Sequence, residues 1–191
     1  STATVPAAAM AAIEARASVN LERIAEIERT TDHDVVAFVS QVAESIGPEG
    51  RFLHLGLTSS DVVDTALALQ MREAAGLLDA GLATLLATII RRAREERDTI
   101  MIGRTHGMHA EPTTMGAKMA NWAFEVSRAR ERIAVAAAEA ATGKISGPVG
   151  TYSQISPEIE QIALAALGLR ADQASTQIVQ RDRHAAFVAA I

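Results

Sequence analysis

Apolar residues at helical spacing dominate the chain and predict a protein made mostly of helices. The longest run covers residues 59–97, where apolar positions recur every three or four residues behind a Ser-Ser capping pair. A second long run covers residues 115–140, and shorter helical patterns cover 8–30, 32–46 and 157–167. At ~1.5 Å per residue, the two long helices predict an elongated, all-α bundle.

Both long runs carry apolar residues on more than one helix face. On the first, the main stripe begins with Val63 and Leu67, while Val62, Ala66 and Leu69 lie off that stripe. A long helix with two apolar faces needs neighbours on two sides. The pattern therefore predicts self-association with other subunits.

Polar clusters interrupt the helical patterns at four places, where they are well positioned for chemistry. They are residues 32–34, 54–61, 103–114 and 175–184. The third cluster is predicted as a short irregular loop between the two long helices. It contains two histidines, an arginine, a carboxylate and three threonines. A histidine in such a loop is a candidate proton donor or acceptor near neutral pH.

The residues alone leave two interpretations open for two of the turns. Residues 58–61 form a normal helix start, yet the same turn offers hydroxyls, backbone N–H groups and a helix dipole to a carboxylate or phosphate. The glycine-rich segment 143–150 is either a plain turn or an anion-binding loop. Together the clusters suggest anion binding beside a proton-transfer histidine, which fits elimination or hydrolysis of an acidic metabolite.

Composition narrows the expected partners and location. The formal net charge is -5 without a long basic run, which argues against nucleic acid. The absence of cysteine excludes disulfides and thiolate sites, and the histidines lack zinc-ligand spacing, so neither metal nor cofactor is expected. No apolar run is expected to reach the length of a membrane span, and the start shows no signal-peptide pattern. These features favour a cytoplasmic protein without membrane contact.

Four motifs in this order resemble the adenylosuccinate lyases, a family of the fumarase/aspartase superfamily. They are HLGLTSSDVVDTA at 54–66, GRTHGMHAEPTT at 103–114, GKISGPVGT at 143–151 and STQIVQRDRH at 175–184. The resemblance extends over nearly the whole chain from about Leu21. It implies long helices assembled as a homotetramer, whose sites combine residues from three subunits.

The resemblance also implies a reaction, the β-elimination of fumarate from succinylated purine nucleotides. Adenylosuccinate gives AMP, and the succinylated imidazole-carboxamide ribotide (SAICAR) gives its free carboxamide. By motif, His106 matches the general acid, and Thr58 and Ser59 match ligands of the succinyl or fumarate carboxylates. Further matched substrate contacts are His33, Asp34, His54 and Gln177, with Lys144 and Ser146 in a loop near the site.

Two departures from the family pattern bear on function. Asp32 stands where members often carry arginine, which places an anion beside the expected nucleotide. The family's mobile loop, S-S-x-M-P-x-K-x-N-P, whose serine is taken to be the catalytic base, does not occur in the sequence. Family members are considerably longer, so a fragment is expected. Residues 1–58 would be the remainder of an N-terminal helical domain, and 59–191 the first part of the central long-helix bundle.

Two alternatives remain at this stage. Another superfamily lyase, such as the cycloisomerase that acts on carboxymuconate, would share the fold, although the HAEPTT and RDRH strings argue against it. A non-catalytic helical assembly module would keep the motifs without the chemistry. The missing base loop is the main support for that alternative.

Overall fold

The computed structural model describes residues 5–191, which form mostly helices, as the sequence predicts. Residues 1–4 lie outside the described part. They include the start of the expected 1–58 domain and of the segment without a signal-peptide pattern. The helices are α1 (Ala7–Arg16), α2 (Leu21–Thr31), α3 (Asp34–Ile46), α4 (Ser59–Glu95), α5 (Met115–Ala140), α6 (Pro157–Ala166) and α7 (Asp182–Ala190), with a 3₁₀ helix at Pro48–Phe52. The strands are β1 (Ile100–Thr105), β2 (Met108–Thr114), β3 (Thr142–Gly143) and β4 (Arg170–Ala171).

The helical pattern over residues 8–30 is not one continuous helix. It is interrupted between Arg16 and Leu21, where Asn20 caps α2 by accepting the N–H of Arg23 at 3.0 Å. Asparagine bonds its neighbouring backbone through its short side chain, so it favours a cap over a helix interior. At the end of α2, Asp32 has a left-handed backbone (φ 49°), and α3 begins after His33.

The segment predicted as an irregular loop between the long helices is instead an antiparallel hairpin of β1 and β2. β-branched residues such as Ile100, Ile102 and Thr113 suit extended strands, although the segment is too short and too polar to show a clear alternation. The strands pair from Ile100–Thr114 to Thr105–Met108, which leaves a two-residue turn. This element holds the sequence-predicted acid in a defined position.

The described chain forms two compact units. The first contains the residues up to Ala68 together with Thr142–Val179, and the second contains Leu69–Ala141 together with Gln180–Ile191. In the first unit α2 packs on α3, and β3 pairs in parallel with β4. In the second unit α7 packs on α5, and the hairpin connects α4 to α5.

The buried face of α4 differs from the predicted stripe in its first turns. Val63, which opens that stripe, is 44% exposed, whereas Asp61, Asp64, Thr65 and Ala68 are buried. Farther along the helix, in the second unit, Met71 and Ala75 are buried. The start of the helix therefore turns polar side chains inward, and each of those needs an internal partner.

Helix α4 corrects the expectation that no apolar run is long enough for a membrane. By length and composition it can span one, with a mean hydropathy of 1.5 over an 18-residue window. The same helix carries buried carboxylates in its first turns, and its Asp79 forms an ion pair with Arg130 of α5 at 2.7 Å. One such helix is weak evidence for a membrane span, so length and hydropathy alone do not place α4 in a membrane.

Candidate functional site

A buried carboxylate in the first turn of α4 organises the glycine-rich loop of the first unit. Oδ1 of Asp61 forms an ion pair with Nζ of Lys144 and accepts the N–H of Ser146 at 3.2 Å. Oδ2 accepts the N–H of Thr58 at 2.9 Å and that of Gly147 at 3.2 Å. Both charged side chains are fully excluded from solvent. Partners on both oxygens offset the cost of burying the carboxylate.

The backbone of this loop is therefore engaged by the protein's own side chains. Besides the two N–H groups on Asp61, the N–H of Lys144 is bonded to Thr65 Oγ1 at 3.2 Å, and that of Ile145 to Glu160 Oε1 at 2.7 Å. The sequence left open whether segment 143–150 is a plain turn or an anion-binding loop. Its N–H groups from 144 to 147 bind internal oxygen atoms, so they are not available to a ligand.

Thr58 and Ser59 stand at the N-terminus of α4, on the turn that Asp61 holds. The two residues are half-buried, and within residues 5–191 their hydroxyl groups make no hydrogen bond. The N–H of Asp61 returns to the carbonyl of Thr58 at 3.0 Å, so backbone and side chain both fix the turn. A helix N-terminus with two free hydroxyls is suited to an anionic ligand.

His54 lies four residues before Thr58 in an uncommon conformation. Its backbone is left-handed (φ 62°), which is rare for a residue with a side chain. Nε2 of its ring is buried, and no group in the described chain bonds to it. A buried orphan nitrogen and a strained backbone both cost stability, and such features cluster at functional sites. The motif assignment of His54 as a substrate contact stays a prediction.

The segment around Gln177 is attached to the same framework at both ends. Before it, Oγ of Ser175 lies 2.7 Å from Oγ of the buried Ser146, and after it the N–H of Val179 is bonded to Oδ2 of Asp64 at 2.7 Å. The side chain of Gln177 itself is exposed. The first unit thus joins segments 54–61, 143–150 and 175–179 through hydrogen bonds.

His33 and Asp34 also lie in the first unit, at the N-terminus of α3. Nδ1 of His33 accepts the N–H of Val36 at 3.3 Å and lies 3.3 Å from Oδ1 of Asp34, which accepts the N–H of Val35 at 2.7 Å. Both side chains are exposed. Among the described residues, no hydrogen bond joins this pair to the framework around Asp61, so the pair is locally a helix cap.

His106 lies at the tip of the hairpin in the second unit. Its φ is 51° and that of Gly107 is 72°, and positive values at both central residues define the tight type I′ turn. The register leaves only these two residues between the paired Thr105 and Met108. The imidazole is exposed, and the strands fix its backbone. An exposed imidazole on a tight turn is accessible to a ligand and can donate or accept a proton.

The framework contains residues that the sequence analysis did not single out. Asp61 was considered only as part of the helix start at 58–61, and Asp64, Thr65 and Glu160 were given no role. The available signal was the helical spacing of Asp61, Asp64 and Thr65, which places them on one face leading to Ala68. Apart from the N–H of Thr58, the groups that bind them here lie between 79 and 115 residues farther along the chain, as Lys144 and Val179 illustrate. Within residues 5–191 no group of three metal-ligating side chains gathers in a metal-binding arrangement.

Comparison with known proteins relates the sequence to a lyase family. The sequence matches the family described as Lyase over residues 1–191. The adenylosuccinate lyase of Synechocystis sp. is 50% identical over 184 residues, which are 96% of this chain and 43% of that protein. The adenylosuccinate lyase of Aquifex aeolicus is 52% identical over 184 residues, 95% of this chain and 42% of that protein. The chain therefore spans less than half the length of these relatives.

The fold is also similar to a solved superfamily structure. The 3-carboxy-cis,cis-muconate lactonizing enzyme of Pseudomonas putida superposes with a TM-score of 0.86 at 30% identity. The match covers 98% of this chain and 45% of that enzyme. The long-helix architecture is thus common to enzymes with different names, and sequence identity separates them better than the fold does.

Proposed function

The chain belongs to the lyase family that it matches from residue 1 to residue 191, and from this we propose that it forms part of an adenylosuccinate lyase. The observation that supports this most is the identity of 50% and 52% to adenylosuccinate lyases, against 30% to the lactonizing enzyme. The reaction would release fumarate from adenylosuccinate to give AMP, and from SAICAR to give its free carboxamide. Both reactions belong to purine biosynthesis.

The elimination needs a base and an acid on opposite sides of the breaking bond. The base removes a proton from the carbon next to one carboxylate, and the negative charge spreads into that carboxylate. The C–N bond then breaks, its electron pair leaves with the nitrogen, and the acid protonates that nitrogen. His106 supplies this proton, because its ring is exposed on a rigid turn.

The first unit supplies groups for the anionic part of the substrate. The hydroxyls of Thr58 and Ser59, at the positive end of α4, bind carboxylates of the succinyl group. His54 contributes its unbonded Nε2, and Gln177 contacts the substrate from the segment held by Ser146. His33 and Asp34 are placed toward the nucleotide. Lys144 acts within the protein, since its amine is fully buried.

Features of the whole protein are part of the same proposal. None of the candidate site residues of this chain is assigned as the catalytic base. Another part of the polypeptide or a neighbouring subunit therefore supplies the base. We propose a homotetramer in the cytoplasm, with residues 1–58 and 59–191 belonging to two domains. Large apolar side chains exposed on the long helices, such as Leu77 (73%) and Phe124 (68%), support subunit contacts.

A cycloisomerase-like lyase is the second candidate, and the similarity to the lactonizing enzyme favours it. The substrate that the whole polypeptide converts distinguishes this candidate from an adenylosuccinate lyase. The whole polypeptide should release fumarate from adenylosuccinate and SAICAR and leave 3-carboxy-cis,cis-muconate unchanged. Conversion of the muconate alone would replace the proposal with this alternative. Failure with all three substrates would favour the non-catalytic assembly module.

A pair of histidine variants tests the role of His106 in the whole polypeptide. His106→Gln should lower the turnover number by about 10²–10⁴-fold, because it removes proton transfer in the transition state. The dissociation constant for adenylosuccinate should change little. His109→Gln is the matched control, since His109 is an exposed histidine on the same hairpin, and its rate should stay near that of the wild type. Equal rates for both variants would exclude His106 as the acid.

A further inference from the structure

The ion pair of Asp61 and Lys144 is fully buried, and burial of such a pair is not by itself evidence of added stability. Moving two charges out of water is costly, and well-packed apolar residues in the same place are often equally stable or more so. Here the pair is fully buried, and the carboxylate also accepts backbone N–H groups from Thr58, Ser146 and Gly147. Such a set of contacts fixes one geometry, because every acceptor direction of the carboxylate is assigned to a particular partner.

The contacts of this pair reach the two segments that carry proposed substrate ligands, the Thr58–Ser59 turn and the segment around Gln177. On one side, Asp61 holds the turn that carries the hydroxyls of Thr58 and Ser59. On the other side it holds the N–H of Ser146, whose hydroxyl bonds to Ser175, two residues before Gln177. The amine of Lys144 binds Asp61 and also donates to the carbonyl of Gly147 at 3.1 Å, so it connects the carboxylate to the loop.

From this arrangement we propose that Asp61 and Lys144 are positioning residues for the elimination. They set the Thr58–Ser59 turn and the segment carrying Gln177 in the geometry that the substrate requires, without touching the substrate themselves. The inference rests on the proposed function and adds residues to it. A misplacement of about 1 Å in such groups can cost on the order of 10²-fold in rate.

The test compares two charge-free double variants in the whole polypeptide. Asp61→Asn with Lys144→Met removes both charges while keeping similar side-chain shapes, so no lone charge is left buried. Asp79→Asn with Arg130→Met is the matched control, because that pair also links α4 to another segment but is partly exposed and lies outside the proposed site. The first variant should lose about 10- to 100-fold in kcat/KM, mostly in kcat. The control should stay within twofold.

Thermal stability and oligomeric state separate positioning from a purely structural role. A structural role predicts a lower melting temperature with unchanged kcat for each folded site, and that result would overturn the inference. Should the double variant fail to fold, Ser146→Ala provides the decisive measurement, since it removes only the 2.7 Å contact with Ser175. It should lower kcat/KM about threefold to tenfold at unchanged melting temperature. Wild-type kinetics would overturn the proposal.

The rate of amide hydrogen exchange tests the positioning role separately from the catalytic activity. The amide of Val179 should exchange faster in the Asp61→Asn, Lys144→Met variant than in the wild type, and not in the control variant. That result shows that the pair holds the 175–179 segment in place even if the wild type proves inactive on the succinylated nucleotides, in which case the proposed function fails and the structural coupling remains. An active wild type whose double variant has unchanged exchange and unchanged kcat would refute the positioning role alone.

Discussion

Tyr152 and Glu160 form a second set of contacts with the glycine-rich loop, separate from those of Asp61. The hydroxyl of Tyr152 donates to Oε2 of Glu160 at 2.7 Å, and Oε1 of the same buried carboxylate accepts the N–H of Ile145. The hydrogen bond to Glu160, followed by burial, raises the pKa of Tyr152 from 10.0 to about 12. Ionisation would place two negative charges together, so the loop depends on the protonated phenol.

This contact makes stability depend on pH in the alkaline range. The folded state holds the phenolic proton more tightly than the unfolded state, so the contribution is fully present below about pH 10 and is lost as the pH rises toward about 12. Tyr152→Phe should therefore lose less free energy of unfolding over this range than the wild type. Urea unfolding at several pH values measures the difference.

Spectroscopic titration checks the same pKa directly. Tyr152 is the only tyrosine in the 191 residues, so the absorbance difference between wild type and Tyr152→Phe isolates its tyrosinate signal. Glu160→Gln is the control and should bring the midpoint closer to 10, because it removes the charged acceptor. A folded wild-type midpoint near 10 would contradict the assignment.

Single residues show which parts of the site the sequence could predict. The Ser59 turn was predictable because capping depends on residues within one helical turn. The ion pair of Asp61 with Lys144 was not, since the two residues are 83 positions apart. Likewise, the orphan nitrogen and left-handed backbone of His54 follow from surroundings that no local pattern encodes.

At the level of elements, the long helices were predictable and the hairpin was not. The 3.6-residue period persists over many turns in α4 and α5, whereas strands β1 and β2 have six and seven residues of mixed polarity. The hairpin is also irregular. Between Ile102 and Arg104 the register shifts, so Gly103 faces the backbone of Glu111. Such a bulge leaves no simple alternation in the sequence.

Two glycines of this hairpin should respond differently to substitution. A Cβ on Gly103 would lie 2.6 Å from the carbonyl oxygen of Glu111, so Gly103→Ala should destabilise the protein by ~1–3 kcal/mol. Gly107 has φ 72° with open space around it, and asparagine tolerates that backbone. Gly107→Asn should therefore unfold in urea near the wild-type midpoint. Equal midpoints for both variants would show that the bulge does not constrain Gly103.

On the scale of the whole molecule, large apolar side chains are exposed along both long helices. In the second unit, a groove of about 530 Å³ between α4 and α5 is lined by apolar side chains that include Leu86, Ile90 and Phe124. Burying such surface contributes ~25 cal/mol per Å², so subunits that cover it gain stability. This surface explains why α4 meets the length and hydropathy criteria of a membrane span while its first turns carry buried carboxylates.

The groove leads to a prediction about assembly. The whole polypeptide should sediment as an oligomer at micromolar concentration, and Phe124→Asp should shift it to smaller species because an unpaired charge is costly in an apolar contact. Asn121→Asp adds the same charge to an exposed polar position three residues earlier on α5 and should leave the oligomer intact. Fumarate release should fall with the Phe124 variant if neighbouring subunits complete the site. A wild-type monomer, or two variants that sediment like the wild type, would exclude this groove as a subunit contact.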